Sequence, residues 1–182
     1  MKPINATTLS GFTLTAIALY LLSYVTFIPA WPIFIAWACF FHMGGGVDKN
    51  QAFFATLRHI WLGAFASWIS ALVVLNNPLS DPLGSQLWAP ILIAAFIAVL
   101  MRLSAFVQLS VTPAIIYGYA SIWAFLSLPG AFTQDNLLSL TFHNAILAVG
   151  FCVLLGVCAG YLNATLVSFL CNLNLKTSAS KN

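Results

Sequence analysis

Phe27–Gly46 reads FIPAWPIFIAWACFFHMGGG, and the fold turns on how that stretch is taken. Pro29 and Pro32 open it, aromatic side chains fill it, and His42 with three consecutive glycines, Gly44–Gly46, closes it. The apolar run from Pro32 to Met43 is a dozen or so residues, about 18 Å of helix at 1.5 Å per residue. A bilayer core is about 30 Å thick. The segment therefore either takes up residues 27–31 as non-helical chain or stops partway through the membrane. Non-helical backbone at that depth survives only when buried in protein or lining a cavity. A second stretch, Ser110–Gly130 (SVTPAIIYGYASIWAFLSLPG), reads as a worn copy of the first.

Composition places both stretches in lipid. The chain has 182 residues, 62% hydrophobic and 5% charged, against about 25% charged in soluble domains. Its ionised side chains are three Asp, no Glu and six Lys plus Arg, too few to cover a soluble surface of this size. One all-α, polytopic integral membrane domain uses the whole length, and no soluble catalytic domain fits beside it. The net charge of +3 forms no run or patch, so nucleic acid is not an expected partner. Cys39, Cys152, Cys158 and Cys171 all lie in apolar stretches without CxxC spacing and read as small buried hydrophobes, neither disulfides nor metal ligands.

Working outward, six transmembrane helices are expected over about 8–28, 32–46, 51–75, 87–103, 108–128 and 141–171, with 172–182 a disordered polar tail. The first is retained rather than cleaved, because its apolar run is too long for a signal peptide and Pro29-Ala30-Trp31-Pro32 is a poor cleavage site. With both termini cytoplasmic, every basic residue (Lys2, Lys49, Arg58, Arg102, Lys176, Lys181) falls on the inner side. The outer loops then carry only Asp81 and Asp135. That asymmetry is what the positive-inside rule requires.

Leu62–Ala71 aligns without a gap on Leu155–Ala164, with Leu62/Leu155, Gly63/Gly156, Ala66/Ala159 and Ala71/Ala164 identical. The second and fifth spans align through Ala36/Gly118, Trp37/Tyr119, Ala38/Ala120 and Cys39/Ser121. Three helices per copy put the second copy upside down, an inverted 3+3 repeat of the kind that holds a transport site near the midplane. The alternative is chance alignment of Leu, Ala and Gly between two membrane helices. The spacings Gly63-x-x-x-Ser67 and Gly156-x-x-x-Gly160 let helix backbones approach closely, and the expectation is that they pack the third and sixth spans on each other.

Chemistry has little to work with. There is no nucleophile elbow, no HExxH and no acidic residue within a span, so no catalytic residue, cofactor or metal site is expected and the protein is not read as an enzyme. His42 and His59 read as interfacial on the inner side and His143 lies near the outer side. Arg58 and His59, about two turns into the third span, are placed to snorkel to the interface. Without a charge at mid-membrane, an energised pump is disfavoured. The candidate pathway residues are the aromatic and polar side chains Trp37, Phe41, His42, Tyr117 and Tyr119, with Asn144 and Asn163 from the sixth span. Asn in a membrane helix also serves to bond a neighbouring helix.

The aromatic second span ending in glycines, Pro113 with Gly118-Tyr119, and the glycine-spaced last helix together resemble the YcdZ-like bacterial inner-membrane proteins, the domain-of-unknown-function family numbered ten ninety-seven. The resemblance covers roughly Thr8 to Ala164. It implies a small multi-pass protein of a bacterial inner membrane and brings no substrate. Asn76-Asn77-Pro78-Leu79-Ser80 is similar to the NNPLS signature of urea transporters, but it falls in an outer loop and is read as coincidence. The expected function is a passive channel or facilitator for a small uncharged solute, as a homo-oligomer in the lipid bilayer. The rivals are a structural or regulatory protein acting through helix contacts, and a secondary transporter using His42 or His59.

Overall fold

The computed structural model describes residues 3–25, 28–79 and 81–179, with side chains to residue 173. Lys2, Phe27, Ser80, Lys181 and the Lys176 side chain, all invoked above, lie outside the described residues. Among those described, the chain is all-helical: α1 (Pro3–Leu22), α2 (Trp31–His42), α3 (Lys49–Leu75), α4 (Pro82–Leu103), α5 (Thr112–Leu126), α6 (Asp135–Leu138) and α7 (Ala145–Ala179). A short 3-10 turn, Val107–Leu109, precedes α5. Helices α1, α3, α4 and α7 are long and apolar enough to cross a membrane, which makes this a helical membrane protein. Helices α2 and α5, of 12 and 15 residues, are shorter apolar helices.

Local chemistry sets the ends. Pro32 and Pro113 sit in the first turns of α2 and α5, where a missing N–H costs nothing. The glycine run then terminates α2. Gly44 adopts φ +90°, Gly44 N–H donates to the Phe41 carbonyl, and Gly45 N–H donates back to the Phe40 carbonyl at 3.0 Å. This is the left-handed Schellman stop, which glycine accepts at least cost. Gly45 also lies under the Phe40 ring, 2.1 Å from where its Cβ would stand. Three residues later Asp48 caps α3, accepting from the Asn50 and Gln51 N–H groups at 3.0 Å each. Stop and start are thus compressed into a tight hairpin.

Several boundaries differ from the sequence reading: α1 covers Pro3–Leu22 where about 8–28 was expected, and α4 starts at Pro82, not near 87. The last helix begins at Ala145, not near 141, because Asn144 is its cap: its Oδ1 accepts from Ile146 N–H at 3.1 Å, while its amide donates to the Leu137 and Ser139 carbonyls. The helix then runs on to Ala179, through residues read above as a disordered tail.

Helices α2, α3, α5 and α7 form the interior, whereas α1 and α4 bury only 11% and 6% of their most apolar windows. The two most extensive contacts are crossed, α3 on α5 and α2 on α7; α3 also packs on α7, as expected of the third and sixth spans, while α1 leans on α7 and α4 leans on α3. Glycine makes both main crossings. A Cβ on Gly63 would stand 1.8 Å from the Ile115 carbonyl oxygen of α5, and one on Gly118 would stand 1.9 Å from the Ile60 carbonyl oxygen of α3. On the other pair, a Cβ on Gly156 would meet the Ile33 carbonyl oxygen of α2 at 2.2 Å. The glycine faces expected to join the third and sixth spans therefore meet other partners, α5 for Gly63 and α2 for Gly156. Glycine spacing sets how close a backbone can come, not whose.

Candidate functional site

The long α3 carries a polar seam. At about 100° per residue, Thr56, His59, Gly63, Ser67 and Ser70 fall within an arc of about 80°, the same arc that meets α5. All five are buried. Ser70 Oγ donates to the Ser67 carbonyl at 2.7 Å, which uses its one hydrogen. The Tyr119 hydroxyl of α5, 2.9 Å away, therefore donates to Ser70. Thr56 Oγ1, Ser67 Oγ and His59 Nε2 are buried with no hydrogen-bond partner among the described residues.

His59 departs from its sequence reading. It lies ten residues into α3, about 15 Å along the axis, and only 2% of its surface is exposed. Snorkelling is thus overturned: the α3 register turns His59 into the protein. Its neighbour Arg58, one step round the helix, is exposed. The Gly63–Gly118 crossing divides the seam, with Thr56 and His59 on one side and Ser67, Ser70 and Tyr119 on the other.

Of the candidate pathway residues, Tyr119 alone joins this seam by a hydrogen bond. Trp37 is buried in α2, near-parallel to Phe34 at 6.2 Å. Phe41, His42 and Tyr117 face outward. Asn144 is the α7 cap described above. Asn163 Oδ1 accepts from Ser10 Oγ, tying α1 to α7. Gly160 rests on Phe40, whose ring lies 2.8 Å from a would-be Cβ. The seam was missed in the sequence, although the spacing of Thr56, His59, Ser67 and Ser70 at four or seven residues from Gly63 carried it.

Each end of the seam is clasped. At the start of α3, Lys49 Nζ donates to Thr165 Oγ1 at 3.1 Å and lies 5.2 Å over the Tyr161 ring, while Tyr161 OH donates to Asn50 Oδ1 at 3.1 Å. Toward the other end, Trp68 Nε1 donates to the Leu137 carbonyl at 2.8 Å. Two concavities lie elsewhere. A groove of 530 Å³ between α3 and α7, walled by Trp61, Phe65, Ile146, Gly150 and Leu154 among others, is almost wholly apolar. A cup of 340 Å³ between the start of α2 and the end of α5 carries Trp31, Asn136 and His143. Among the described residues, no three of His, Cys, Asp and Glu gather as a metal ion would require.

Residues 8–168 match the model of a protein family described as protein of unknown function, DUF1097. No curated protein and no solved structure matches the chain.

Proposed function

We propose, from the premise that the chain belongs to the DUF1097 family, that it is a passive facilitator for a small uncharged solute, with the α3 seam as its path. The observation that carries this reading is the row of buried polar atoms left without partners at Thr56, His59 and Ser67. Leaving a buried donor or acceptor unsatisfied costs about 1–3 kcal/mol each, and in lipid no water from the flank relieves it. Of the five such atoms among the described residues, three lie on this one helix and the others are Trp31 Nε1 and Trp123 Nε1.

The layout that suits this function is six crossings in two opposed trios, with both termini cytoplasmic, in a bacterial inner membrane. The crossings support it. The register that sets Ala36 beside Gly118 also sets Ile33 beside Ile115, and the other register sets Gly63 beside Gly156. Gly63 against the Ile115 carbonyl and Gly156 against the Ile33 carbonyl are then the same contact made twice. The lean of α1 on α7 likewise mirrors that of α4 on α3. Passage along the seam requires α5 to shift at the Gly63–Gly118 crossing, which closes it. Lipid and further copies of the chain are the partners for the outward faces of α1 and α4.

Purified protein in liposomes is tested by stopped-flow light scattering with water, urea, acetamide and glycerol. Permeation above protein-free liposomes is expected for at least one. Lipid-background rates for all four, with the protein folded, remove the reading. Thr56→Val and Ser67→Ala then separate path from packing. Each removes an unpartnered hydroxyl, so Tm is expected to hold or rise, by the equivalent of about 1 kcal/mol, while permeation falls several-fold. Unchanged permeation in both would mean that the hydroxyls only fill space.

Of the two rivals, action through the small-residue faces loses its surface, since Ile33 and Phe40 of the same chain cover Gly156 and Gly160. A secondary transporter gains one specific observation, the burial of His59. Flux that follows a pH gradient and disappears in His59→Ala would favour it.

A further inference from the structure

We infer that His59 Nε2 and Thr56 Oγ1 form the recognition site of the seam, and that the ligand is a small neutral molecule bearing an N–H or O–H group. The inference rests on the facilitator reading for its meaning, though not for its test. Its basis is the state of the imidazole. His59 Nδ1 lies 2.7 Å from the Ala55 carbonyl oxygen of its own helix. A carbonyl only accepts, so Nδ1 carries the hydrogen, and in the neutral ring Nε2 is left as a bare lone pair. That lone pair is buried and unpartnered.

Thr56, one turn earlier on the same face, adds a hydroxyl that is also buried and unpartnered. The usual escape for a helical threonine is to bond the carbonyl four residues back, as Thr165 does to Tyr161 at 2.9 Å. Thr56 does not take it, so its hydroxyl is free both to donate and to accept. Together the two groups offer one acceptor that cannot donate and one group that can do either. A molecule with both an N–H or O–H and a carbonyl or hydroxyl oxygen satisfies both; one that only accepts leaves Nε2 unpaired. Sites of this kind discriminate strongly, because the wrong ligand strands a buried polar group. The Ile60 and Gly118 backbones are pressed together next to the pair, so a ligand reaches it only when α5 shifts at that crossing.

Nitrogen NMR on the full chain in nanodiscs, with histidines 15N-labelled and assigned through His42→Gln and His143→Gln, reads the site directly. The probes are acetamide, which donates and accepts, and its near-isostere acetone, which only accepts. The expected spectrum shows His59 as the Nδ1–H tautomer, with an Nε2 signal that moves on adding acetamide and stays put with acetone. Thr56→Val, close in shape to the native residue, is expected to weaken the acetamide response about fivefold, the loss of one hydrogen bond. An Nε2 signal unmoved by acetamide, or moved equally by acetone, overturns the inference. Permeation in liposomes without any His59 response would overturn this site and leave the facilitator reading standing. A selective His59 response without permeation would do the reverse.

Discussion

Gly63→Ala and Gly118→Ala each lower the Tm of the detergent-solubilised protein by many degrees, whereas Gly150→Ala leaves it level or raises it. Intrinsic preference runs the other way, since replacing a mid-helix glycine by alanine gains about 1 kcal/mol. At Gly150 nothing lies within 4 Å of the new methyl, so only that gain remains. At Gly63 and Gly118 the methyl meets backbone, at 1.8 Å and 1.9 Å, and in each case the helix across the crossing presents a carbonyl oxygen that cannot rotate away. The two helices must separate along their whole interface. Overpacking of this kind costs about 1–3 kcal/mol even where side chains can adjust, and here none can. Equal melting of all three variants would show that α3 and α5 do not cross at these glycines.

The second large effect belongs to the other pair. Gly156→Ala drives a methyl to 2.2 Å from the Ile33 carbonyl oxygen and 2.8 Å from the Ala36 Cβ. Gly160→Ala meets side chain and not backbone, the Phe40 ring at 2.8 Å and its Cβ at 3.0 Å. The loss in Tm is therefore expected to be clearly larger for Gly156→Ala than for Gly160→Ala. The two crossings share no residue, so Gly63→Ala and Gly156→Ala in one chain are expected to add to within about 0.5 kcal/mol. A double variant no worse than either single one would mean the crossings form one unit instead of two.

Much of this architecture was legible in the chain. Hydropathy and the scarcity of charge mark a helical membrane protein, and the prolines and glycines bracketing Pro32–Met43 mark a short helix between two stops. The partner of each glycine face was not legible: Gly63-x-x-x-Ser67 says that some backbone comes close, while tertiary packing decides that it is α5. His59 misled for a related reason. Its place beside Arg58 near the start of α3 suggested the interface, yet one residue turns a helix by about 100°, enough to send Arg58 outward and His59 inward. The late start of α7 escaped because Asn144 read as a residue inside a span; its role as a cap depends on where the Leu137 and Ser139 carbonyls lie.

Whether the inner face of α3 is a wetted track is tested most directly by thiol accessibility. Ser67→Cys and Phe65→Cys are placed in turn in a chain whose four native cysteines are replaced, reconstituted in liposomes and treated with methyl methanethiosulfonate. Only the thiolate reacts, and a thiolate forms only where water reaches. A track predicts that Ser67→Cys reacts at least about tenfold faster than Phe65→Cys, whose position faces outward. Equal, near-zero rates at both positions would contradict it.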